Sequence, residues 1–128
     1  LLQDIDASPR FLFCEPLLDH LDLGHWLIPE MPDLHWIIAG GESGALARAS
    51  NPDHFRGLRT QAVEAGIPFF FSQWGNWAPL DALDSKMVTK ALNRRVQRGM
   101  CRLDKRLTGR RLDGRQWSQL PPRAPVAR

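Results

Sequence analysis

Three short apolar runs stand out in the hydrophobic pattern of the chain. Each run is almost continuously apolar and lacks the alternation of apolar and polar positions that marks a strand with one exposed face. Strands buried on both faces have this continuous pattern, and such strands usually lie parallel with helices covering them. The pattern therefore predicts three parallel strands, at Arg10–Glu15, His35–Ala39 and Ile67–Ser72.

The connection between the second and third runs has the signals of an α-helix. Asn51 is suited to the N-cap, and Pro52 fits the first helical position, where its missing N–H group costs nothing. Gly66 suits the left-handed position that follows many helices. The apolar residues between these signals recur with the helical period, at Phe55, Leu58, Ala62 and Val63. A strand, a capped helix and a strand make a βαβ unit, whose crossover is almost always right-handed.

The other segments have weaker patterns. Residues 17–28 suggest one or two short amphipathic turns, and residues 85–106 look helical with one apolar side. Residues 109–128, which contain clustered glycines and prolines, predict a hairpin-like or irregular segment followed by a loose tail.

Together these elements predict an α/β fold, the C-terminal half of a partial (β/α) TIM-like barrel with three parallel strands and crossover helices. A closed barrel needs about eight β/α pairs, so we expect this chain to be a fragment. The first residue, Leu1, agrees with that, although a trimmed chain would look the same. On this interpretation residues 1–84 form the half barrel, and residues 85–128 form a basic, helical C-terminal extension.

Charge is distributed unevenly along the chain. Residues 1–85 contain four basic and twelve acidic residues, a net charge of −8, whereas residues 86–128 contain thirteen basic and two acidic residues, a net charge of +11. A basic segment can bind nucleic acid by neutralising phosphates, so residues 86–115 are a candidate contact surface. The same segment could equally pack against an acidic surface of its own protein.

Neither a membrane segment nor a secretion signal is evident. The longest apolar stretches fall far short of the ~20 residues that a membrane helix needs, and no basic-then-apolar leader opens the sequence. Cys14 and Cys101 lie far apart, which suggests two reduced thiols instead of a disulfide framework or a metal site. We therefore expect a cytoplasmic protein in which this segment alone forms no metal site.

Polar residues and glycines follow all three predicted strands. Glu15 ends the first, the Gly40–Gly44 turn follows the second, and Gln73–Trp77 follows the third. Because the carboxyl ends of parallel strands lie at one edge of a sheet, and ligands bind outside that edge, we expect these residues to converge on one rim.

The turn after the second strand is the most distinctive of the three. Gly40 and Gly41 would let a backbone approach a ligand and would supply N–H groups, while Glu42 and Ser43 add an acceptor and a hydroxyl. These four residues are cofactor-binding candidates, although a tight turn with a solvated glutamate would read the same way. Arg48 is a substrate-binding candidate that could bind an anion or pair with Glu42.

Residues after the other two strands complete the candidate site. Glu15, also a cofactor-binding candidate, would be half buried and needs a partner. That partner is either a hydroxyl-rich ligand such as a ribose, or an arginine, Arg10 or Arg48. Gln73 and Trp74 are substrate-binding candidates, which could clamp a planar ligand by a hydrogen bond and by stacking; alternatively, Trp74 closes the core.

Four segments of the chain, taken together, resemble one known family. The segments are Arg10–Leu18, Trp36–Arg48, Gly66–Trp77 and Gly109–Trp117. In combination they resemble the C-terminal half of a phage-associated family of unknown function, whose members look like radical S-adenosylmethionine proteins of the three-cysteine-motif type. The resemblance covers most of residues 10–121. Ser72 departs from the family pattern, because a lysine is common at that position.

The resemblance implies a partial barrel whose N-terminal half holds an iron–sulfur cluster on three closely spaced cysteines. It places Glu15 and the Gly40–Gly44 turn beside the adenosyl group of S-adenosylmethionine. Both cofactors are implied for the full-length family only, because Cys14 and Cys101 cannot replace three clustered thiolates.

Two functions of different classes follow from these observations. In the first, the chain is part of a phage-type radical S-adenosylmethionine-like protein, supplies part of a cofactor and substrate site, and is inactive alone. In the second, it is a nucleic-acid-binding phage module that uses residues 86–115. A remnant without activity is a third possibility, and the substrate and reaction stay open.

Overall fold

The computed structural model describes residues 10–24, 27, 34–92 and 96–122. Its strands are β1 Phe11–Cys14, β2 Trp36–Ala39, β3 Phe69–Phe71, β4 Trp77–Pro79, β5 Val96–Gln97, β6 Met100–Arg102, β7 Arg111–Leu112 and β8 Arg115–Gln116. Its helices are α1 Pro52–Ala65, α2 Ser85–Leu92, α3 Lys105–Thr108 and a 3-10 turn at Leu80–Ala82. In this part of the chain no helix is both long enough and apolar enough to cross a bilayer.

The three predicted apolar runs form one parallel sheet in the order β1-β2-β3. Phe11 at the start of β1 lies beside Trp36 at the start of β2, so the strands begin in step. An extended segment that contains Trp117 covers the outer edge of β3. In it the Trp117 carbonyl accepts a hydrogen bond from the Phe71 N–H at 2.8 Å. The parallel arrangement of these strands is therefore confirmed, with each strand shorter than its apolar run.

Helix α1 begins and ends where the sequence predicts. The Asn51 side chain accepts a hydrogen bond from the Asp53 N–H at 2.9 Å, and Pro52 occupies the first turn. Gly66 follows the helix in a left-handed conformation, with a φ of 71°. The buried side of α1 packs towards the parallel sheet and consists of Phe55, Leu58 and Ala62. Val63, which the helical period grouped with them, is exposed.

The main core lies between α1 and the sheet face that α1 covers. Three aromatic rings meet there edge to face: the Phe55 ring centroid lies 4.9 Å from that of Phe71 and 5.4 Å from that of Trp74. All three side chains are fully buried. Edge-to-face aromatic pairs add to the free energy of burial, so this cluster anchors α1 on the sheet.

The described residues leave the opposite face of the parallel sheet partly uncovered. It carries four aromatic side chains that define the open face, namely Phe11, Phe13, Trp36 and Phe70. Phe11 and Phe13 are 57% and 60% exposed. Parallel sheets are normally covered on both faces, so exposed aromatic area of this kind is typical of a surface that binds a partner or ligand.

The expected half barrel is wrong. The described residues form three small sheets and no closed barrel: the parallel sheet, an antiparallel sheet in the order β4-β6-β5, and the two-stranded β7-β8 hairpin. The second connection contains a crossover helix, but the described residues of the first connection, 15–24, 27 and 34–35, contain none. A continuous apolar run indicates that both faces of a strand are buried, but it does not indicate which elements bury them. The barrel was predicted because its helices and strands would bury both faces. The division of the chain at residue 84 stays a prediction.

The predicted helical extension is wrong between α2 and α3. A hairpin of β5 and β6 follows, and its turn at Arg98 and Gly99 has φ values of 52° and 76°. Positive φ at both central residues gives a type I′ turn, whose twist suits a two-residue hairpin. The hairpin expected within residues 109–128 is confirmed by β7 and β8, which join through Asp113 and Gly114. Residues 93–95 and the tail at 123–128 lie outside the described part.

Two glycines allow the loops after β2 and β3 to touch along their backbones. The Gly41 N–H donates to the Gln73 carbonyl at 2.9 Å. A Cβ atom at Gly41 would collide with the Trp74 carbonyl oxygen, and one at Gly75 would collide with the Glu42 carbonyl oxygen. Gly75 also has a φ of 84°, which favours glycine. This backbone contact between residues 41–42 and 73–75 is the glycine seam.

The loop after β3 also joins the parallel sheet to the C-terminal segment. The Asn76 side chain accepts from the Gly44 N–H at 2.7 Å and donates to the Leu103 carbonyl at 3.0 Å. The buried Thr108 hydroxyl donates to the Gly75 carbonyl at 2.6 Å. One short loop therefore supports the turn after β2 on one side and residues 103–108 on the other.

We expect Gly41→Ala to lower the free energy of unfolding by about 3 kcal/mol, because the new methyl group would overpack against backbone. Gly57→Ala is the matched control: the new Cβ inside α1 would meet only the His20 ring, at 3.6 Å. Alanine favours helix over glycine, so this variant should gain up to ~1 kcal/mol. Urea unfolding measures the free energy of unfolding of both variants. A Gly41→Ala protein as stable as the wild type would show that the two backbones are not in close contact at the seam.

Candidate functional site

Glu15 and Gln73 meet at the carboxyl end of the parallel sheet. The Gln73 side-chain amide donates to Glu15 Oε1 at 2.7 Å. Gly40 lies beside this pair, and a Cβ atom there would lie 2.8 Å from Glu15 Oε1 and closer still to Ser72 Oγ. The glycine therefore makes room for two polar side chains. Glu15, Gly40, Ser72 and Gln73 define the carboxylate rim.

Main-chain hydrogen bonds carry the sheet register into the rim. The Gly40 N–H donates to the Cys14 carbonyl at 3.0 Å, directly after the last paired residues of β1 and β2. Side chains alternate between faces along a strand, so Glu15 lies on the same face as Phe13. The rim therefore borders the open face, and its carboxylate is only partly buried.

The turn at residues 40–44 uses its glycine amides within the protein. Besides the Gly40 bond, the Gly41 N–H donates to the Gln73 carbonyl and the Gly44 N–H donates to the Asn76 side chain. The Gly40 and Gly41 N–H groups that the sequence suggested for a ligand, and the N–H group of Gly44, are therefore engaged within the protein. Cofactor binding by this turn stays a prediction.

Glu42 pairs with Arg48, one of the alternatives that the sequence left open. Arg48 Nε donates to Oε1 at 3.0 Å and Nη2 donates to Oε2 at 2.9 Å, while the Arg48 N–H donates to Oε1 at 2.8 Å. These hydrogen bonds lower the pKa of Glu42 from 4.5 to about 2. The stability that the pair contributes is present above about pH 4.5 and is lost as the pH falls towards 2.

The Ser43 hydroxyl and the Trp74 ring are both buried. Ser43 Oγ is buried and has no hydrogen-bond partner within the described ranges. Trp74 is 1% exposed, and its indole N–H donates to the Arg111 carbonyl at 2.7 Å. Its ring packs on Phe55 and Phe71, which leaves neither ring face free for stacking.

Sequence reasoning missed Arg110 as a site residue. Its guanidinium carbon lies 4.8 Å from the Phe70 ring centroid, on the open face, and its Nη2 donates to Ser118 Oγ at 2.7 Å. Its Nε is buried without a partner, and no described carboxylate pairs with it. Arg110 belongs to one of the family-like segments, but it follows no parallel strand, so the search of strand ends passed over it.

The two thiols do not fit an iron–sulfur cluster. Cys14 lies on β1 and Cys101 on β6, in separate hydrophobic clusters, and burial raises the pKa of both thiols. Within residues 10–24, 27, 34–92 and 96–122 no three His, Cys, Asp or Glu side chains form a group that could hold a metal. No residue of these ranges is therefore assigned to such a cluster.

Part of the basic segment is already engaged within the protein. Asp113, one of its two acids, binds Arg56 at 2.9 Å and Arg59 at 2.5 Å, both on α1. Arg106 pairs with Asp104, the other acid, at 3.1 Å. The segment therefore contacts α1 through an acid, where the sequence had suggested contacts from its basic side chains.

Comparison with known families identifies the chain. A family model described as protein of unknown function (DUF5131) matches residues 1–121, which include the carboxylate rim and the glycine seam. No curated protein and no solved structure matches the chain. The chain therefore belongs to the DUF5131 family of proteins of unknown function.

Proposed function

We propose that the carboxylate rim forms one side of a small-molecule site in a radical S-adenosylmethionine-like protein of phage origin. A hydroxyl group of the ligand, such as a ribose hydroxyl of S-adenosylmethionine, donates to Glu15. An apolar part of the ligand lies along the open face. This chain supplies only part of the site, acts in the cytoplasm, and is not catalytic by itself.

The pairing of Glu15 with a neutral amide carries this proposal. Oε1 accepts from Gln73, and Oε2 has no partner among the residues that the structure describes. A ligand hydroxyl or amine that donates to this carboxylate would make a charge-assisted hydrogen bond, which is roughly twice as strong as a neutral one. Glu42 differs, because Arg48 already occupies both of its oxygens.

Arg110 gives the same face a positive charge. Its guanidinium covers Phe70, and Phe70 is in register with Ile38 on the face that also carries Glu15. The buried, unpartnered Nε adds a donor that a ligand oxygen could satisfy. A ligand with hydroxyl groups and a carboxylate, as S-adenosylmethionine has, matches a face with one uncompensated acid and one uncompensated base.

Substitution of Glu15 by glutamine tests the rim, because glutamine keeps the shape and removes the charge. We expect calorimetric titration with S-adenosylmethionine to show binding to the wild type, and binding about tenfold weaker or more to Glu15→Gln. Glu64→Gln removes an exposed carboxylate on α1 and should bind like the wild type. Equal affinity in Glu15→Gln and wild type, or no binding to either, would count against the site.

A second candidate function is nucleic-acid binding by residues 86–115. The observation that favours it is a set of exposed basic residues that pair with no carboxylate in the described structure. These are Lys86, Lys90, Arg98, Lys105, Arg111 and Arg115. Exposed, unpaired cations are the groups that neutralise phosphates with release of counterions.

Salt dependence tests this second function. If residues 86–115 contact phosphates, log affinity for an oligonucleotide should fall steeply with log salt, and Lys86→Gln with Lys90→Gln should reduce the slope by about 1 to 2. Arg10→Gln, outside the segment, is the matched control and should leave the slope unchanged. A flat salt profile, or an unchanged slope in the double variant, would remove this function.

A further inference from the structure

A concave site lies apart from the carboxylate rim. A pocket of about 680 Å³ opens between the loop 45–52 and the β5–β6 hairpin, and no rim residue lines it. On the side of the β4-β6-β5 sheet and its β5–β6 turn, the wall consists of Trp77, Gln97, Arg98, Met100 and Arg102. Sites for small molecules usually have volumes of ~300–1,000 Å³, so this pocket is large enough for a ligand.

The described residues in the wall of this pocket carry positive charge. Arg48, Arg98 and Arg102 line it, whereas no Asp or Glu of the described ranges does. Arg48 is neutralised by Glu42, which leaves Arg98 and Arg102 as the uncompensated charges. Neither of these two pairs with a carboxylate of the described chain.

Arg102 is held by groups that position it without cancelling its charge. Its Nη2 donates to the carbonyls of Gly44 and Ala45, each at 3.1 Å. Its guanidinium carbon lies 5.8 Å from the Trp77 ring centroid. A half-buried guanidinium fixed in this way loses little rotamer freedom when an anion binds, and it gains the counter-charge that it lacks.

Two neutral groups on the loop side of the pocket also suit an anion. Ser50 lines the pocket, is 4% exposed, and its hydroxyl has no partner in the described structure. Pro52 lines it as well, so the 14-residue helix α1 begins at this wall and contributes the positive end of its dipole. Asp53 in the first turn offsets part of this field, although it pairs with Arg56 at 2.8 Å.

We propose that this pocket binds the phosphate group of a phosphorylated ligand. The planar fork of Arg98 matches the spacing of phosphate oxygens, Arg102 adds a fixed positive charge, and the start of α1 adds a favourable field. The site is independent of the carboxylate rim, so either could be refuted while the other stands. A free phosphate ester and the backbone of a nucleic acid share this chemistry, and they differ in the experiment below.

Titration of the whole chain with ADP, pyrophosphate and a single-stranded oligonucleotide tests the phosphate site. Arg98→Asn removes one charge at a left-handed turn position that asparagine tolerates. Arg102→Met removes the other charge and keeps an apolar stem against Trp77. We expect each variant to bind ADP about tenfold more weakly than the wild type. Arg10→Gln, which removes a charge next to β1 and outside the pocket, should bind ADP as the wild type does.

The three ligands identify the source of the phosphate. Tight oligonucleotide binding that both variants weaken supports a nucleic-acid backbone, and binding of ADP and pyrophosphate alone supports a small phosphate ester. If Arg102→Met does not fold, Arg98→Asn decides the result. No binding of any of the three by the wild type, or unchanged affinity in folded Arg98→Asn, would overturn the proposal.

Discussion

The close approach of two loop backbones is the constraint on which the rest of the structure depends. At the glycine seam the backbone of Gly41 touches that of Trp74, and the backbone of Gly75 touches that of Glu42, so neither glycine position admits a side chain. Because the loops follow β2 and β3, the seam fixes the carboxyl end of the parallel sheet. Because Asn76 bonds to the Leu103 carbonyl, the same loop also holds the C-terminal segment. A local steric requirement thus determines where the rim side chains lie.

Residues of the same type have different roles because the loops give them different partners. Glu42 is turned towards Arg48, which lowers the pKa of its carboxyl to about 2 and leaves it no free oxygen. Among the described residues, Glu15 accepts a hydrogen bond only from the amide of Gln73 and has no cationic partner. The arginines divide in the same way, since Arg48 is neutralised, whereas the hydrogen bonds of Arg102 within the described ranges all go to carbonyls. Charged side chains that lack a partner of opposite charge, in a pocket or at the edge of an open face, are the groups to which ligands bind.

The sequence predicted the elements whose causes are local. Asn51 and Gly66 marked both ends of α1, and continuous apolar runs marked the three parallel strands. It failed where distant contacts decide the outcome. The Arg98–Gly99 turn formed a hairpin inside a segment with a helical period. For Trp74 the sequence left two roles open, a ligand clamp or closure of the core, and the side chain is buried. The convergence of Glu15 with Gln73 followed from parallel strand ends, whereas the position of Arg110 depends on residues far along the chain that no local pattern reports.

Native-state amide hydrogen exchange tests most directly whether the glycine seam holds the carboxyl end of the sheet. The N–H groups of Gly41 and Asn76 bridge the two loops, and the N–H of Ile37 bonds to Pro68 within the sheet. If the seam and the sheet form one cooperative unit, all three amides should exchange only through global unfolding, with the same free energy of opening. Exchange of Gly41 and Asn76 through local opening, at rates far above that of Ile37, would contradict it.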